Sequence, residues 1–211
     1  MTKNYVIAFD TANESIAVGL AKLDFKNKKV ELISQEKFTA HRASNTKLLP
    51  ALDKLLKDAE VTPKQLACVI CGKGPGSFTG VRIALSTAKG ISTSLTIPLI
   101  PVSTLDAVAW TAKNDGYSGN LLVVADAMRH EVYPAFFELS ENGVKRQSPY
   151  IVVKIEKMSQ TLRTFDSSIS CSDKLMSQTS VRFDSFSITG DALRKYSKEL
   201  GALGELLPEE L

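Results

Sequence analysis

The stretch YVIAFDTANESIAVGLAKLD, residues 5–24, opens with an apolar run from Tyr5 to Phe9, halts at Asp10, turns through the polar TANE, and resumes as a second apolar stretch from Ser15 to Leu23. A further polar turn, DFKNKK at residues 24–29, leads into a third run predicted as strand from Val30 to Glu36. Apolar runs separated by short polar turns mark three strands joined as hairpins. Beyond a polar loop, Leu48, Leu49, Leu52, Leu55, Leu56 and Ala59 recur at helical spacing, with Ser44, Asn45 or Thr46 available as a cap. A strand LACVICG (residues 66–72) and a long helix from about Phe78 to Leu95 follow, so the order of elements is βββαβα.

That order begins again at Leu121. LLVVA ends in Asp126, AMRH turns, a strand runs from Glu131 to Leu139, SENG turns, and a third strand is predicted from Arg146 to Lys154. A helical stretch from Ile155 to Phe165, a polar region from Asp166 to Asp184, a strand SFSIT, Gly190 and a helix from Asp191 to Leu200 complete the repeat. Between the halves, PLIPVST reads as a short strand and LDAVAWTAKN as a linking helix. A duplicated βββαβα unit with an aspartate closing each first strand is the organisation of the actin-like and sugar-kinase-like ATPases. The expected fold class is therefore α/β, two actin-like (RNase H-like) domains, at residues 1–102 and 103–211. In such folds paired carboxylates position metal and phosphate at a cleft, which makes Asp10 and Asp126 candidates for that role. The other reading is that each aspartate caps the turn between its strands. Both stay open on the sequence.

Composition narrows the function. The 211 residues are 44% hydrophobic, enough for one large or two small cores. No run approaches the roughly 20 apolar residues of a membrane-spanning helix, and three cysteines (Cys68, Cys71, Cys171) do not suggest a disulfide framework. A cytoplasmic location is expected. The formal net charge is +3, with Lys and Arg scattered along the chain, so the footprint of an autonomous nucleic-acid binder is missing and any RNA contact is expected to be shared with a partner. The two histidines, His41 and His130, lie far apart in sequence, and both read as solvated loop residues. Cys68 and Cys71 are three apart on a strand, which sends their side chains to opposite faces and argues against a zinc or redox pair.

The segment GKGPGSFTGVRIALSTAKG, residues 72–90, sets five glycines around a strand-to-helix junction. Glycine permits close backbone approach and a helix N-terminus accepts anions, so Gly74 and Gly76 are candidate nucleotide or anion contacts. It is not a Walker loop, because Lys73 precedes the turn and no Lys-Ser or Lys-Thr pair opens the helix. Nor does GPGSFTG have the spacing of a nucleophile elbow around Ser77. The plainer reading is a tight connection that lets the helix pack closely on its sheet.

GPGSFTGVRIALSTAKG closely resembles the signature of the TsaB (YeaZ) family, in the glycoprotease-like superfamily. AFDTANESIAVGL, LLPALDKLL, LIPVSTLDAVA and VVADAMRHEVYPAFFE extend the resemblance from about Tyr5 to Leu139, and ITGDAL carries it weakly further. The resemblance implies a non-catalytic subunit of the complex that places threonylcarbamoyl on the adenosine next to the anticodon of ANN-decoding tRNAs. It implies pairing with a TsaD-like catalytic subunit, recruitment of a TsaE-like ATPase, contact with tRNA only through the complex, and a homodimer when isolated. No tightly bound cofactor is expected, with ATP or ADP only in the complex. The catalytic relatives carry a His-x-x-x-His metal motif where this chain has Thr104 and Val108, and neither side chain replaces imidazole. The family pairs through its first two helices, which implies an interface at Leu48, Leu49, Leu52, Leu56, Val81, Leu85 and Ala88, helped by the small residues of the second helix. The alternatives are an independent nucleotide hydrolase using Asp10 and Asp126, and an inactive glycoprotease-like interaction module. Relatives continue with a further helix and a Pro-x-Tyr-x-Arg-type tail beyond LGELLPEEL, so a trimmed C-terminus is expected.

Overall fold

The computed structural model describes residues 3–39, 44–167 and 186–208. His41, Cys171 and the part of the polar region from 168 to 184 lie outside them. The chain forms two compact units, Met1–Thr104 and Leu105–Leu211.

The first unit holds strands β1 (Tyr5–Asp10), β2 (Ser15–Asp24) and β3 (Lys29–Thr39), helix α1 (Ser44–Asp58), β4 (Leu66–Gly72), helix α2 (Phe78–Leu95) and β5 (Leu99–Val102). The sheet order is β3-β2-β1-β4-β5. The two hairpins are antiparallel, from Tyr5↔Lys22 to Asp10↔Ala17 between β1 and β2, whereas β4 runs parallel to both β1 and β5. Parallel neighbours need crossover connections, and α1 and α2 supply them. Leu48, Leu52, Leu55 and Leu56 fall on one stripe of α1 and pack on Ile7, Ile16, Val18 and Leu20. Helix α1 begins at Ser44, so the capping candidates Ser44, Asn45 and Thr46 all lie within its first turn.

Helix α3 (Thr104–Asn114) leads to β6 (Gly119–Met128), β7 (Glu131–Ser140), β8 (Gly143–Arg146), β9 (Val153–Lys154), α4 (Met158–Ser167), β10 (Ser187–Thr189), α5 (Leu193–Gly201) and β11 (Glu205–Leu206). The order β11-β10-β6-β7-β8, with β9 also on β7, repeats the first unit's topology, so the βββαβα duplication holds in space. Strand β6 explains its unbroken apolar run. Leu122 and Val124 pack toward α4 and α5, while Leu121, Val123 and Ala125 pack toward α3, so the strand is buried on both faces.

The single third strand expected from Arg146 to Lys154 is instead two short ones. Both pair with β7, but positions 133–136 of β7 face positions 147–152 across the gap, two residues too many for one ladder. There the Phe136 N–H donates to the Ser148 hydroxyl at 2.9 Å, and Pro149 has no N–H to continue the pairing. The two-residue β11 was not anticipated, since an element so short leaves no periodic signal.

Candidate functional site

Asp10 ends β1 with both carboxylate oxygens engaged. Oδ1 accepts the Ala12 N–H at 2.6 Å, closing the β1–β2 turn, and Oδ2 accepts the Thr104 hydroxyl, also at 2.6 Å. The glycine-rich loop is fitted around this carboxylate. A Cβ at Gly72 would collide with it, and one at Gly76 would meet the Ala12 carbonyl oxygen at 2.5 Å. The Ser77 N–H donates to Ala12 O at 2.5 Å, Thr104 N–H to Gly74 O at 2.9 Å, and Lys73 N–H to Val102 O at 2.9 Å. Three chain turns are thus laced into one rigid corner. Gly74 adopts φ +81°, a conformation that favours glycine, and the Gly74–Pro75 peptide is cis. Burial raises the Asp10 carboxyl above its ordinary value, against the opposing pull of the hydrogen bonds from Thr104, Ala12 and Thr11.

Asp126 repeats the arrangement in the second unit with different partners. Its Oδ1 accepts the Met128 N–H at 2.9 Å, the same turn closure as at Asp10. Its own N–H donates to Asp191 Oδ1 at 2.9 Å, and Oδ2 is bound by the Lys195 ammonium. Gly190 occupies the place of Gly72: a Cβ there would strike the Val124 carbonyl. Asp191 is held above the usual carboxylate range, by burial first and then by the nearby Asp126 charge. The hydrogen bond from Lys195 to Asp126 raises the lysine. The turn-capping geometry is therefore present at both aspartates. Sequence reading missed Thr104, Asp191 and Lys195 as their partners. The contacts span 94, 65 and 69 residues, and no local pattern encodes them.

The two helices singled out as an interface are largely committed to their own sheet. Leu48, Leu52, Leu56 and Ala88 are buried in the first unit's core, so the surface that α1 and α2 offer comes mainly from their neighbours. Three of the small residues of α2 are committed to the core in the same way, whereas Ser86 and Gly90 are exposed. Gly80, Ala84 and Ala88 line the buried stripe of α2, a Cβ at Gly80 would overlap the Thr11 carbonyl, and the Thr11 hydroxyl donates to Gly80 O at 2.6 Å. What faces outward is Leu49, 54% exposed, and Phe78, 69% exposed, whose ring lies 3.8 Å beneath the Arg82 guanidinium. Val81 and Leu85 are half-buried. The Ser77 side chain caps α2 by accepting the Gly80 N–H at 3.3 Å.

Cys71 is buried and Cys68 half-buried on β4, both with thiols pushed up by burial. His130 stands in the β6–β7 turn with its ring 6.3 Å from that of Tyr196. Val108 packs with the α3 core, while Thr104 serves Asp10. Among the described residues, no three His, Cys, Asp or Glu side chains cluster as metal ligands, and no helix is long and apolar enough to cross a membrane.

Residues 35–200 match the family model described as "TsaD: tRNA N6-adenosine threonylcarbamoyltransferase". A "tRNA threonylcarbamoyladenosine biosynthesis protein TsaB" of Buchnera aphidicola (subsp. Schizaphis graminum) is 32% identical over 75% of this chain and 74% of its own length. The chain belongs to the TsaB family, within the wider TsaD family. TsaB proteins of Bacillus subtilis and Escherichia coli are 30% and 32% identical over 67% and 66% of the chain. This TsaB-family chain spans a little over half the length of those two, 58% and 57%. The structure described as "YeaZ from Pseudomonas aeruginosa" superposes with a TM-score of 0.74 at 22% identity, covering 100% of this chain and 85% of that one, so the two share the fold.

Proposed function

We propose that this chain is a non-catalytic partner in forming N6-threonylcarbamoyladenosine on ANN-decoding tRNAs, in the cytoplasm. It pairs with a TsaD-like catalytic subunit and recruits a TsaE-like ATPase. Relatives named for this biosynthesis support the reading of the pathway. The observation that carries the non-catalytic role is that both oxygens of Asp10 and of Asp126 are already bound by the chain's own donors. Each oxygen keeps a lone pair beyond the bond it accepts, so these donors compete with a metal ion for the carboxylate, and at Asp126 the Lys195 charge also repels a cation. On this reading Gly74 and Gly76 shape the Asp10 corner, no cofactor is tightly bound, and ATP or ADP enters only with the complex. The pairing surface is the outward side of α1 and α2, built on Leu49, the Phe78–Arg82 stack, and the exposed parts of Val81 and Leu85. The same surface makes a homodimer of the isolated chain.

The test is capture of the chain from its own cell extract, with Leu49→Glu and Phe78→Glu as variants on exposed positions. A charge at Leu52 is unsuitable, because it would sit in the core. Recovery of a TsaD-like subunit, lost in both variants while thermal stability is kept, is the expected result. Capture of no such subunit, together with ATP turnover by the lone chain that Asp10→Ala abolishes, would replace this reading with that of a nucleotide hydrolase.

A further inference from the structure

The charges that look scattered along the sequence are unevenly divided. Residues 1–104 carry 14 Lys and Arg against 8 Asp and Glu, and residues 105–211 carry 12 against 15. In the basic unit, one end of the sheet gathers much of the excess. The β2–β3 hairpin sets Lys22, Lys26, Lys28 and Lys29 around its tip, all exposed. The Leu23 N–H donates to Asn4 O and the Asn4 N–H to Gln65 O, which places Lys3 and Lys64 at the same end of the sheet. At the tip Phe25 is 67% exposed, with Val30 and Leu32 also exposed along β3.

The turn is held in one shape. Asp24 Oδ1 accepts the N–H groups of Lys26 and Asn27 at 3.0 Å, its Oδ2 accepts Asn27 Nδ2 at 2.7 Å, and Lys28 sits at φ +53°. Those bonds keep the Asp24 carboxyl below its usual range, so it stays ionised as the turn's staple. The ring and the lysines are thus displayed on a preorganised loop, which lowers the ordering cost of binding.

We propose that the β2–β3 hairpin tip is an RNA-contacting surface, with Lys22, Lys26, Lys28 and Lys29 on backbone phosphates and Phe25 stacked on an unpaired base. Lysine ammonium groups bind phosphate as point charges, and an exposed aromatic ring accepts any base on its face. A lipid surface fits less well. Membrane-surface elements present a broad apolar face, whereas Phe25, Val30 and Leu32 are interspersed with Asp24, Lys26, Lys28, Lys29 and Glu31. The proposal rests on the tRNA reading above and adds to it a direct contact by this chain.

The experiment is equilibrium binding of the full chain to an unmodified tRNA transcript over a series of salt concentrations, with vesicles of phosphatidylserine and phosphatidylcholine in parallel. Replacing Lys26, Lys28 and Lys29 together by Gln is expected to reduce the slope of log affinity against log salt by about 2, since each phosphate contact contributes about 0.7 for a single strand. Phe25→Ala is expected to weaken binding about tenfold with the slope unchanged. Binding by both variants equal to that of the unaltered chain would overturn the proposal, as would attachment to vesicles without attachment to tRNA. The broader reading fails differently. Cells depleted of the chain that keep their threonylcarbamoyladenosine would refute it, whatever the hairpin binds.

Discussion

Asp10 sits where burial raises its carboxyl and three hydrogen bonds pull it back, and the raised direction wins. A carboxyl whose folded pKa exceeds its unfolded value binds the proton more tightly in the folded state. Its contribution to stability is then fullest below the ordinary value near 3.8 and is lost as pH rises through the raised value. Asp191 acts with the same sign. Urea unfolding followed upward from about pH 4 should show this loss, and Asp10→Asn should remove part of it. The amide can still accept from Ala12 and donate to the Thr104 oxygen, so the corner is kept. An unaltered pH profile in Asp10→Asn would assign the effect to other groups. In the second unit the side chain of Asp126 is only 11% exposed and depends on Lys195. Because the Lys195 side chain is 51% exposed, Lys195→Met should cost no more than about 1 kcal/mol by chemical denaturation, with Lys195→Arg restoring most of it. A change below a few tenths of a kcal/mol would mean that solvent compensates Asp126.

Helix α2 shows how a run of small residues is read at the level of the element. Its limits, Phe78 to Leu95, were legible from the sequence because a glycine-rich junction precedes a long periodic segment. The reason for Gly80 was not, since the backbone it approaches is Thr11, remote in sequence. Gly80→Ala should destabilise the fold by about 1–3 kcal/mol, because the carbonyl it meets belongs to a turn fixed on both sides. A neutral Gly80→Ala would show that the Thr11 turn yields. On α1 the apolar positions divide in the same way. Leu52→Ala is expected to cost about 2–5 kcal/mol, while Leu49→Ala should stay within about 0.5 kcal/mol on stability. Six leucine and alanine positions at helical spacing announce the helix, but which of them remain outside is set by how much surface the sheet covers. The divided strand of the second unit has a comparable cause: Ser148 and Pro149 interrupt a ladder whose apolar pattern alone suggests continuity.

At the scale of the whole molecule, the isolated chain is expected to elute from a sizing column as a homodimer and to exchange it for a heterodimer when a TsaD-like subunit is added. Unchanged elution in the mixture would count against the pairing surface proposed on α1 and α2. The duplicated βββαβα order, the aspartate closing each first strand and the family were all determined by the sequence. Hydrophobic period, turn chemistry and the glycine-rich signature are local properties that survive without coordinates. Tertiary structure alone decided that Thr104 closes Asp10 and Lys195 closes Asp126, that the interface leucines are mostly core, and that lysines from separate segments meet at one end of a sheet. Those outcomes depend on contacts between residues tens of positions apart, whose pairing is fixed by topology and packing and leaves no periodic trace along the chain.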